Sequence, residues 1–355
     1  MSAENYKSIA GKLKFEGRAY INGKYVDAVD GQKFENINPA TGDVLASVAK
    51  CNHKDVDLAV KIARKSFESG VWSKTAPEYR KEILLKFAEL LRKHGVENSV
   101  LECVDTGKLV NDCLNEVAND TPMHFQWYGE LIDKTFGKVS ATDPSITSLI
   151  VKEPIGVVAG VVPWNFPLMM AVWKTAPALA AGCSVIIKPA EDTPLSALKI
   201  AQIASDAGIP DGVLNVLPGF GDVGEALGRH NDIDAVSFTG STEVGGLFMK
   251  YSGESNLKTI GLEMGGKSPF LVLEDAKIND ALIDNAINSA FWNGGQNCSA
   301  NMRQIIHGKI KDKFLDKVSK RIKNIKVGDP LNTDSNMGSM ISKGHLAKVD
   351  GYIQK

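Results

Sequence analysis

The sequence predicts an α/β protein in which a doubly wound parallel sheet is followed by a second α/β domain. Two observations carry this fold class. Between residues 147 and 262, short apolar strands alternate with helices across short turns, which is the pattern of a parallel sheet covered on both faces. A new apolar run at 268–273 then follows a pair of glycines, which indicates a second domain. The expected domains are therefore 1–262 and 263–355.

The part before this alternation is predicted to contain a β meander and then helices. Within 17–47, Asn22-Gly23 separates two short β-prone runs, which is a strong signal for a hairpin turn. Helical periodicity with charged outer faces covers 53–70 and 77–106, and 111–134 is predicted to form a further helix.

The parallel sheet is expected to begin with the continuous apolar run 155–162, as for a strand that is buried on both faces. Helices are predicted after it at 168–181, 194–207 and 222–229, and strands at 184–187, 213–217, 235–238 and 258–262.

Composition excludes several classes of function. The chain has 355 residues, 43% hydrophobic and 23% charged, with a net charge of −1. Such a balance gives no sign of a nucleic-acid or membrane partner. The polar N-terminus does not resemble a signal peptide, and the apolar stretches are interrupted by Pro, Lys and Ser. Five irregularly spaced cysteines indicate a cytoplasmic protein without a disulfide framework or a zinc site.

Two short segments carry the candidates for covalent catalysis. Cys298 lies among Asn, Gly, Gln and Ser, which indicates an accessible loop where a thiolate can act as a nucleophile. Glu263 precedes two glycines, so water or a thiol can approach its carboxylate. The other cysteines are interpreted as small buried hydrophobes; they are Cys51, Cys103, Cys113 and Cys183.

Two glycine-rich turns are candidates for binding a dinucleotide. Gly219, Gly221 and Gly224 match G-x-G-x-x-G, but the only acidic residue near the usual spacing, Glu243, lies inside the next motif. The turn in 238–245 offers a hydroxyl and free amides at a helix start, which suit a phosphate. We favour this second turn for the pyrophosphate and the first for the adenine side, although both could be only tight turns.

Further polar candidates follow the predicted strands. Lys188 and Glu191 lie at the carboxyl end of a strand, where open α/β sheets bind ligands. They could bind the hydroxyls of a ribose, with Glu191 repelling a 2′-phosphate, or form a solvated ion pair. Asn165 lies between aromatic and proline residues, and its amide could be an oxyanion donor or a helix cap.

These motifs occur in the order and approximate spacing of a known family, and the chain resembles the NAD(P)-dependent aldehyde dehydrogenase superfamily from about Tyr20 onward. It is most similar to the branch of γ-glutamyl-γ-aminobutyraldehyde, betaine-aldehyde and related aminoaldehyde dehydrogenases. The motifs are PWNFP at 163–167, KPAE at 188–191, FTGSTEVG at 238–245, LEMGGK at 262–267 and GQNCSA at 295–300.

The resemblance implies an aldehyde dehydrogenase-like fold, with a Rossmann-type cofactor domain and a catalytic domain, and a route for the chemistry. Cys298 would add to the aldehyde, giving a thiohemiacetal and then a thioester. Asn165 and the Cys298 amide would form the oxyanion hole. Glu263 would activate the hydrolytic water, and Lys174 would assist a proton relay. Asp105 would bind a structural monovalent cation, although no catalytic metal is expected.

The resemblance also implies NAD as cofactor, a substrate tunnel and a homodimer or homotetramer, with about 135–150 as the oligomerisation arm. Lys188 and Glu191 would hold the adenosine ribose and Ser241 the pyrophosphate. The residues expected at the cofactor are Pro163, Trp164, Lys188, Glu191, Gly221, Gly240, Ser241 and Gly245. The residues expected to line the substrate tunnel are Phe166, Met170 and Trp173.

Family chains continue further, with an E-x-F-G-P segment and a terminal strand that would follow residue 355, so the catalytic domain is expected to be incomplete here. One alternative function is therefore a weakly active or inactive NAD-binding fragment. Another is an acylating dehydrogenase that passes the acyl group to CoA, although Glu263 favours water as the acceptor.

Overall fold

The computed structural model describes residues 2–355. Its strands are β1 (Ala19–Ile21), β2 (Lys24–Val26), β3 (Lys33–Ile37), β4 (Val44–Ala49), β5 (Lys138–Ser140), β6 (Ser148–Ile150), β7 (Val157–Val161), β8 (Ser184–Lys188), β9 (Leu214–Val216), β10 (Ala235–Gly240), β11 (Thr259–Met264), β12 (Pro269–Val272) and β13 (Arg303–Ile306). Its α-helices are α1 (Ala3–Ala10), α2 (His53–Ser69), α3 (Pro77–Lys93), α4 (Gly95–Thr106), α5 (Val110–Cys113), α6 (Thr121–Leu131), α7 (Pro167–Ala181), α8 (Leu195–Ala207), α9 (Gly221–Arg229), α10 (Thr242–Gly253), α11 (Asp280–Phe291), α12 (Lys311–Ile322) and α13 (Lys343–Ile353).

The largest sheet has seven strands in the order β11-β10-β7-β8-β9-β1-β2. The strands from β11 to β9 are parallel, whereas β1 pairs antiparallel with both β9 and β2. Every residue of β7 and β8 is buried, as the continuous apolar runs predict. The predicted doubly wound α/β fold is confirmed.

The strand order reverses direction at β7. From β7 the chain moves to β8 and β9 on one side and then returns to β10 and β11 on the other. In open α/β sheets such a reversal opens a crevice beyond the carboxyl ends of the two central strands. The segments after β7 and β10 therefore border the natural ligand-binding crevice of this fold.

Helices cover both faces of the sheet and form two separate cores. Adjacent residues of β8 contribute to each: Ile187 packs with Leu179 of α7 and Leu198 of α8, whereas Ile186 packs with Leu227 of α9 and Phe248 of α10. This alternation follows from the period of two in a strand.

The structure differs from the predicted helices in two places. The predicted helix over 77–106 is wrong, because the chain is divided at His94 into α3 and α4. The predicted helix over 111–134 contains a π-helical turn, Leu114–Asp120, between α5 and α6. A Cβ on Gly95 would lie 2.8 Å from that of Ala118, so the start of α4 packs directly against this turn.

Smaller sheets surround the main one. The predicted turn at Asn22-Gly23 is confirmed by positive φ angles of 54° and 76°. Strands β12 and β13 form a parallel pair with their own core, which contains Ile283 of α11 and Phe314 of α12. The division of the chain at 262/263 stays a prediction. Among residues 2–355, no helix is both long and apolar enough to span a bilayer.

Candidate active site

The carboxyl ends of three adjacent parallel strands bring the cofactor candidates together. Pro163 and Trp164 follow β7, Lys188 ends β8, and Gly240 ends β10. The Val162 amide donates to the Lys188 carbonyl at 3.1 Å, which fixes the segment after β7 against β8.

The start of α10 presents an anion-binding terminus at this edge. Ser241 is its N-cap, and its hydroxyl accepts a hydrogen bond from the Val244 amide at 3.3 Å. A Cβ on Gly240 would lie 2.5 Å from the Phe238 ring, so only glycine keeps the backbone this close. Ser241 is exposed and Gly245 is buried one turn further on. Free amides and the helix dipole at such a terminus favour a phosphate.

Lys188 and Glu191 form an ion pair that is buried on one side only. Their Nζ and Oε2 atoms are 3.2 Å apart, and the side chains are 6% and 42% exposed. Burial lowers the pKa of Lys188, while Glu191 opposes this shift. The buried ammonium distinguishes the pair from a solvated surface pair. Glu191 also lines an open cavity of about 570 Å³.

These residues fit a dinucleotide. The terminus of α10 suits its phosphates, and the Lys188–Glu191 pair offers a donor and an acceptor for ribose hydroxyls. Trp164 is partly exposed and contacts the ring of His345 edge-on at 4.8 Å. Gly221 begins α9, and nothing lies within 4 Å of the position where a Cβ would be.

The thiol of Cys298 is exposed, whereas the other four cysteines are buried, as the sequence predicts. Cys298 follows a 3₁₀ turn, Trp292–Gly295, in which Asn293, Gly294 and Gly295 all have positive φ. Asn and Gly are the residues that adopt this conformation at the least cost. The sequence of the loop therefore permits this backbone conformation at little cost in strain.

Asn165 is bound directly to the loop that carries the thiol. Its Nδ2 donates to the Gln296 carbonyl at 2.9 Å, two residues before Cys298. Asn293 Nδ2 donates back to the Asn165 carbonyl at 3.2 Å. Gln296 is fixed in turn, because its Nε2 donates to the Asn293 carbonyl and its Oε1 accepts from the Ile341 amide, each at 3.0 Å.

The structure bears on only one of the two interpretations of Asn165, the helix cap, and the oxyanion role stays a prediction. The N-cap of α7 is Phe166, and it has no side-chain capping bond, so Asn165 does not cap the helix. Within residues 2–355, the Nδ2 group of Asn165 donates one hydrogen bond, to Gln296, and its second N–H has no protein acceptor. Sequence reasoning missed Asn293 and Gln296, although both are polar residues next to the glycine pair before Cys298.

Glu263 lies within β11 rather than after it, because the strand extends to Met264, two residues beyond the predicted end at 262. Its side chain is exposed, and its backbone pairs with Thr239 of β10. Lys174 of α7 is buried, and its Nζ donates to Thr239 Oγ1 at 2.7 Å. Burial lowers the pKa of Lys174 to about 8, while Glu263 opposes the shift. Lys174 is thus hydrogen-bonded to Thr239 and lies within the electrostatic influence of Glu263.

The three residues predicted to line a substrate tunnel differ in exposure. Phe166 and Met170 are buried in the core, and the Phe166 ring lies 5.1 Å from that of Trp292. Trp173 is 48% exposed, and it packs against His124 with the two ring centroids 5.7 Å apart.

Asp105 is buried and accepts hydrogen bonds from Asn36 Nδ2 at 3.0 Å and from the Leu195 amide at 3.1 Å. Burial raises its pKa to about 8. Asn36 Nδ2 also donates to the Asp192 carbonyl at 3.0 Å. Within residues 2–355, His, Cys, Asp and Glu form no group of three or more that could hold a metal ion.

The fold and the site define a dinucleotide-binding α/β protein whose binding crevice lies beside an exposed cysteine. Comparison with known proteins gives the family. A sequence model of the aldehyde dehydrogenase family matches residues 25–355. An aminoacetaldehyde dehydrogenase from Pseudomonas aeruginosa is 46% identical over 100% of this chain and 72% of the relative.

Solved structures agree. A γ-glutamyl-γ-aminobutyraldehyde dehydrogenase from Burkholderia cenocepacia matches with a TM-score of 0.98 and 43% identity, covering 100% of this chain and 72% of that one. An indole-3-acetaldehyde dehydrogenase from P. syringae, in complex with NAD⁺, matches with a TM-score of 0.97, 44% identity and the same coverage. The chain belongs to the aldehyde dehydrogenase family, as the motifs predict. It is accordingly an NAD(P)-dependent oxidoreductase.

Proposed function

We propose that this chain oxidises an aminoaldehyde to the carboxylic acid with NAD⁺ and water, through covalent intermediates on Cys298. The observation that carries the proposal is the hydrogen bond from Asn165 to Gln296, because it holds an oxyanion donor against the loop of the exposed thiol. The names of two similar proteins, aminoacetaldehyde dehydrogenase and γ-glutamyl-γ-aminobutyraldehyde dehydrogenase, support an aminoaldehyde as substrate.

The first step joins the thiolate of Cys298 to the carbonyl carbon and moves the carbonyl π electrons onto oxygen. The free N–H of Asn165 and the backbone N–H of Cys298 donate to this oxyanion. Donors fixed before the reaction stabilise the developing charge without reorganisation. NAD⁺, when held by the crevice, would supply the hydride acceptor for this carbon, and loss of the hydride would leave the acyl group on Cys298 as a thioester.

Glu263 completes the cycle. Its carboxylate takes a proton from water as the water oxygen attacks the thioester carbon, and the C–S bond then breaks to release the acid and the thiolate. The exposed position of Glu263 on β11 admits water. Lys174 can accept the proton from Glu263 when its own amine is neutral, and Thr239 holds that amine in place.

Lys188 and Glu191 would hold the adenosine ribose, and the carboxylate of Glu191 would disfavour a 2′-phosphate. Acyl transfer to CoA would use the same thiol but would not need Glu263. The exposed hairpin β5–β6 supports the proposal of an oligomerisation arm, because Val139 and Leu149 on it are exposed. A homodimer or homotetramer, and a cytoplasmic location, stay predictions.

The direct test is to give the purified chain three aldehydes of similar size, one with an amino group, one aliphatic and one aromatic, and to follow formation of NADH or NADPH. We expect oxidation of the aminoaldehyde with the highest kcat/KM, and faster reaction with NAD⁺ than with NADP⁺. If none is oxidised, the proposed function is wrong. If the aliphatic aldehyde is preferred, only the aminoaldehyde assignment is wrong.

We expect Lys174 to make steady-state turnover increase with pH, which gives the pH profile a rising limb. Its pKa is about 8, so the neutral amine that can accept a proton increases as pH rises through this value. We expect steady-state turnover to rise through about pH 8 and then level off. Lys174→Arg keeps the positive charge at all these pH values and should remove the limb.

Lys199→Arg is the matched control, because Lys199 is half-exposed and pairs with Glu97 away from the crevice. This variant should keep the limb. Persistence of the limb in Lys174→Arg would show that another group accepts the proton.

A further inference from the structure

A buried cluster of charges lies behind the first turn of α7 and has no part in the chemistry described above. Lys108 Nζ contacts Glu102 Oε1 at 3.3 Å and also pairs with Glu116 Oε2. The side chains of Lys108 and Glu102 have no exposed surface. Removing charges from water opposes folding, so a buried cluster of this kind is weak evidence for a role in stability. The alternative is that the cluster orients the segments that it contacts.

The cluster contacts residues of the segment that immediately follows Asn165. Glu102 Oε2 accepts a hydrogen bond from the Leu168 amide at 3.1 Å. This amide is in the first turn of α7, where backbone N–H groups lack partners within the helix and a carboxylate is favoured. Lys108 Nζ lies 4.3 Å from the centroid of the Phe166 ring, which is within the range of a cation–π contact.

The Phe166 ring also packs against the loop that carries Cys298. Phe166 follows Asn165 in the chain, and its ring packs 5.1 Å from that of Trp292, the first residue of the turn before Cys298. A displacement of Phe166 would therefore move both the oxyanion donor and one wall of the loop.

Glu116 enters the cluster from the π-helical turn Leu114–Asp120. Turns of this kind are rare and occur often at functional sites. Burial opposes the charged form of Lys108, but Glu102 and Glu116 outweigh it and raise the pKa of Lys108. Lys108 is therefore held in its charged form, whereas burial raises the pKa of Glu116 to about 7.

We propose that Lys108 and Glu102 are positioning residues, which set the backbone of residues 166–168 and through it the distance from the Asn165 amide to the oxyanion at Cys298. The inference rests on the proposed function. Neither residue touches the reacting atoms. Ionic contacts of defined geometry suit this task, because misplacement of a catalytic group by about 1 Å can cost about 100-fold in rate.

A double-mutant cycle tests the proposal with the full chain. Lys108→Met removes the ammonium and keeps the length of the side chain, and we expect kcat to fall about 10- to 100-fold. Asn165→Ala alone should lower kcat by about 10²- to 10³-fold. If Lys108 acts through Asn165, then Lys108→Met should cause little further loss in the Asn165→Ala background.

The Kd for NAD⁺ separates positioning from a general loss of structure. It should be unchanged, because Lys188, Glu191 and the start of α10 lie outside the backbone of residues 166–168 that the cluster contacts. Lys258→Met is the matched control, since Lys258 is also a buried lysine, bound to the Gly228 carbonyl at 2.6 Å. Its effect on kcat should be small and the same in both backgrounds.

Glu102→Gln is a second variant in case Lys108→Met does not fold, because it keeps a side-chain oxygen for the Leu168 amide while removing the charge. It should show the same dependence on Asn165 with a smaller loss. Equal losses from these changes in the presence and absence of Asn165 would overturn the inference. A fully active Asn165→Ala enzyme would overturn the oxyanion role and this inference together, and absence of any aldehyde oxidation in the unmodified chain would refute the proposed function itself.

Discussion

Cys298→Ala is expected to abolish aldehyde oxidation and to leave NAD⁺ binding nearly unchanged. The substitution removes the atom that forms both covalent intermediates, so it deletes the reaction route rather than one hydrogen bond. The residues proposed to bind the cofactor lie at the ends of β7, β8 and β10, on other elements than the loop of Cys298. The measurements are NADH formation with an aldehyde in excess and the Kd for NAD⁺ by titration.

Cys183→Ala is the control for this experiment, because Cys183 is a buried thiol next to β8. It should retain activity, apart from any loss of stability. In the unmodified protein, iodoacetamide should label Cys298 first and inactivate the enzyme in parallel. Substantial turnover by Cys298→Ala would disprove the assignment of the nucleophile.

Glu263→Gln is expected to slow hydrolysis of the thioester more than its formation. A general base contributes about 10²- to 10⁴-fold, so steady-state turnover should fall within this range. Rapid mixing should still show a burst of NADH, followed by a slow phase. The amide has nearly the size of the carboxylate, and Glu263 is exposed on β11, so the fold should be unaffected.

Glu274→Gln is the matched control, because Glu274 is also an exposed carboxylate close to Glu263 in the sequence. It pairs with Lys309 at 2.7 Å. It should keep the rate of the slow phase. Loss of the burst itself in Glu263→Gln, with normal hydrolysis, would mean that Glu263 acts on the thiol instead of on water.

Patterns that depend on neighbours in the sequence were sufficient for much of the fold. The apolar runs of β7 and β8 predict strands covered on both faces, because no residue there needs water. The hairpin at Asn22-Gly23 was predictable for a similar reason, since these residues adopt positive φ at little cost. The exposure of Cys298 followed from the small polar residues around it.

Features that depend on contacts between distant segments could not be predicted. Lys108 and Glu116 are eight residues apart, which is not the spacing of an ion pair on one helix, and only the packing of α4, α7 and the π-helical turn brings them together and buries them. The end of α3 at His94 is a different case, because Gly95 follows it and glycine often follows a helix end, so this break was predictable but was missed. The bonds that join Asn165 to Asn293 and Gln296 cross about 130 residues of chain, beyond the reach of any local pattern.

The split of β8 between two cores has a consequence for the cost of ligand binding. Ile186 packs in one hydrophobic core and Ile187 in the other, and the next residue along the strand is Lys188. Side chains that are ordered before a ligand arrives lose little conformational entropy when it binds. If Lys188 binds a ribose as proposed, its ammonium is therefore ordered by the packing of the sheet before the dinucleotide arrives, and binding loses little conformational entropy at this end of the crevice.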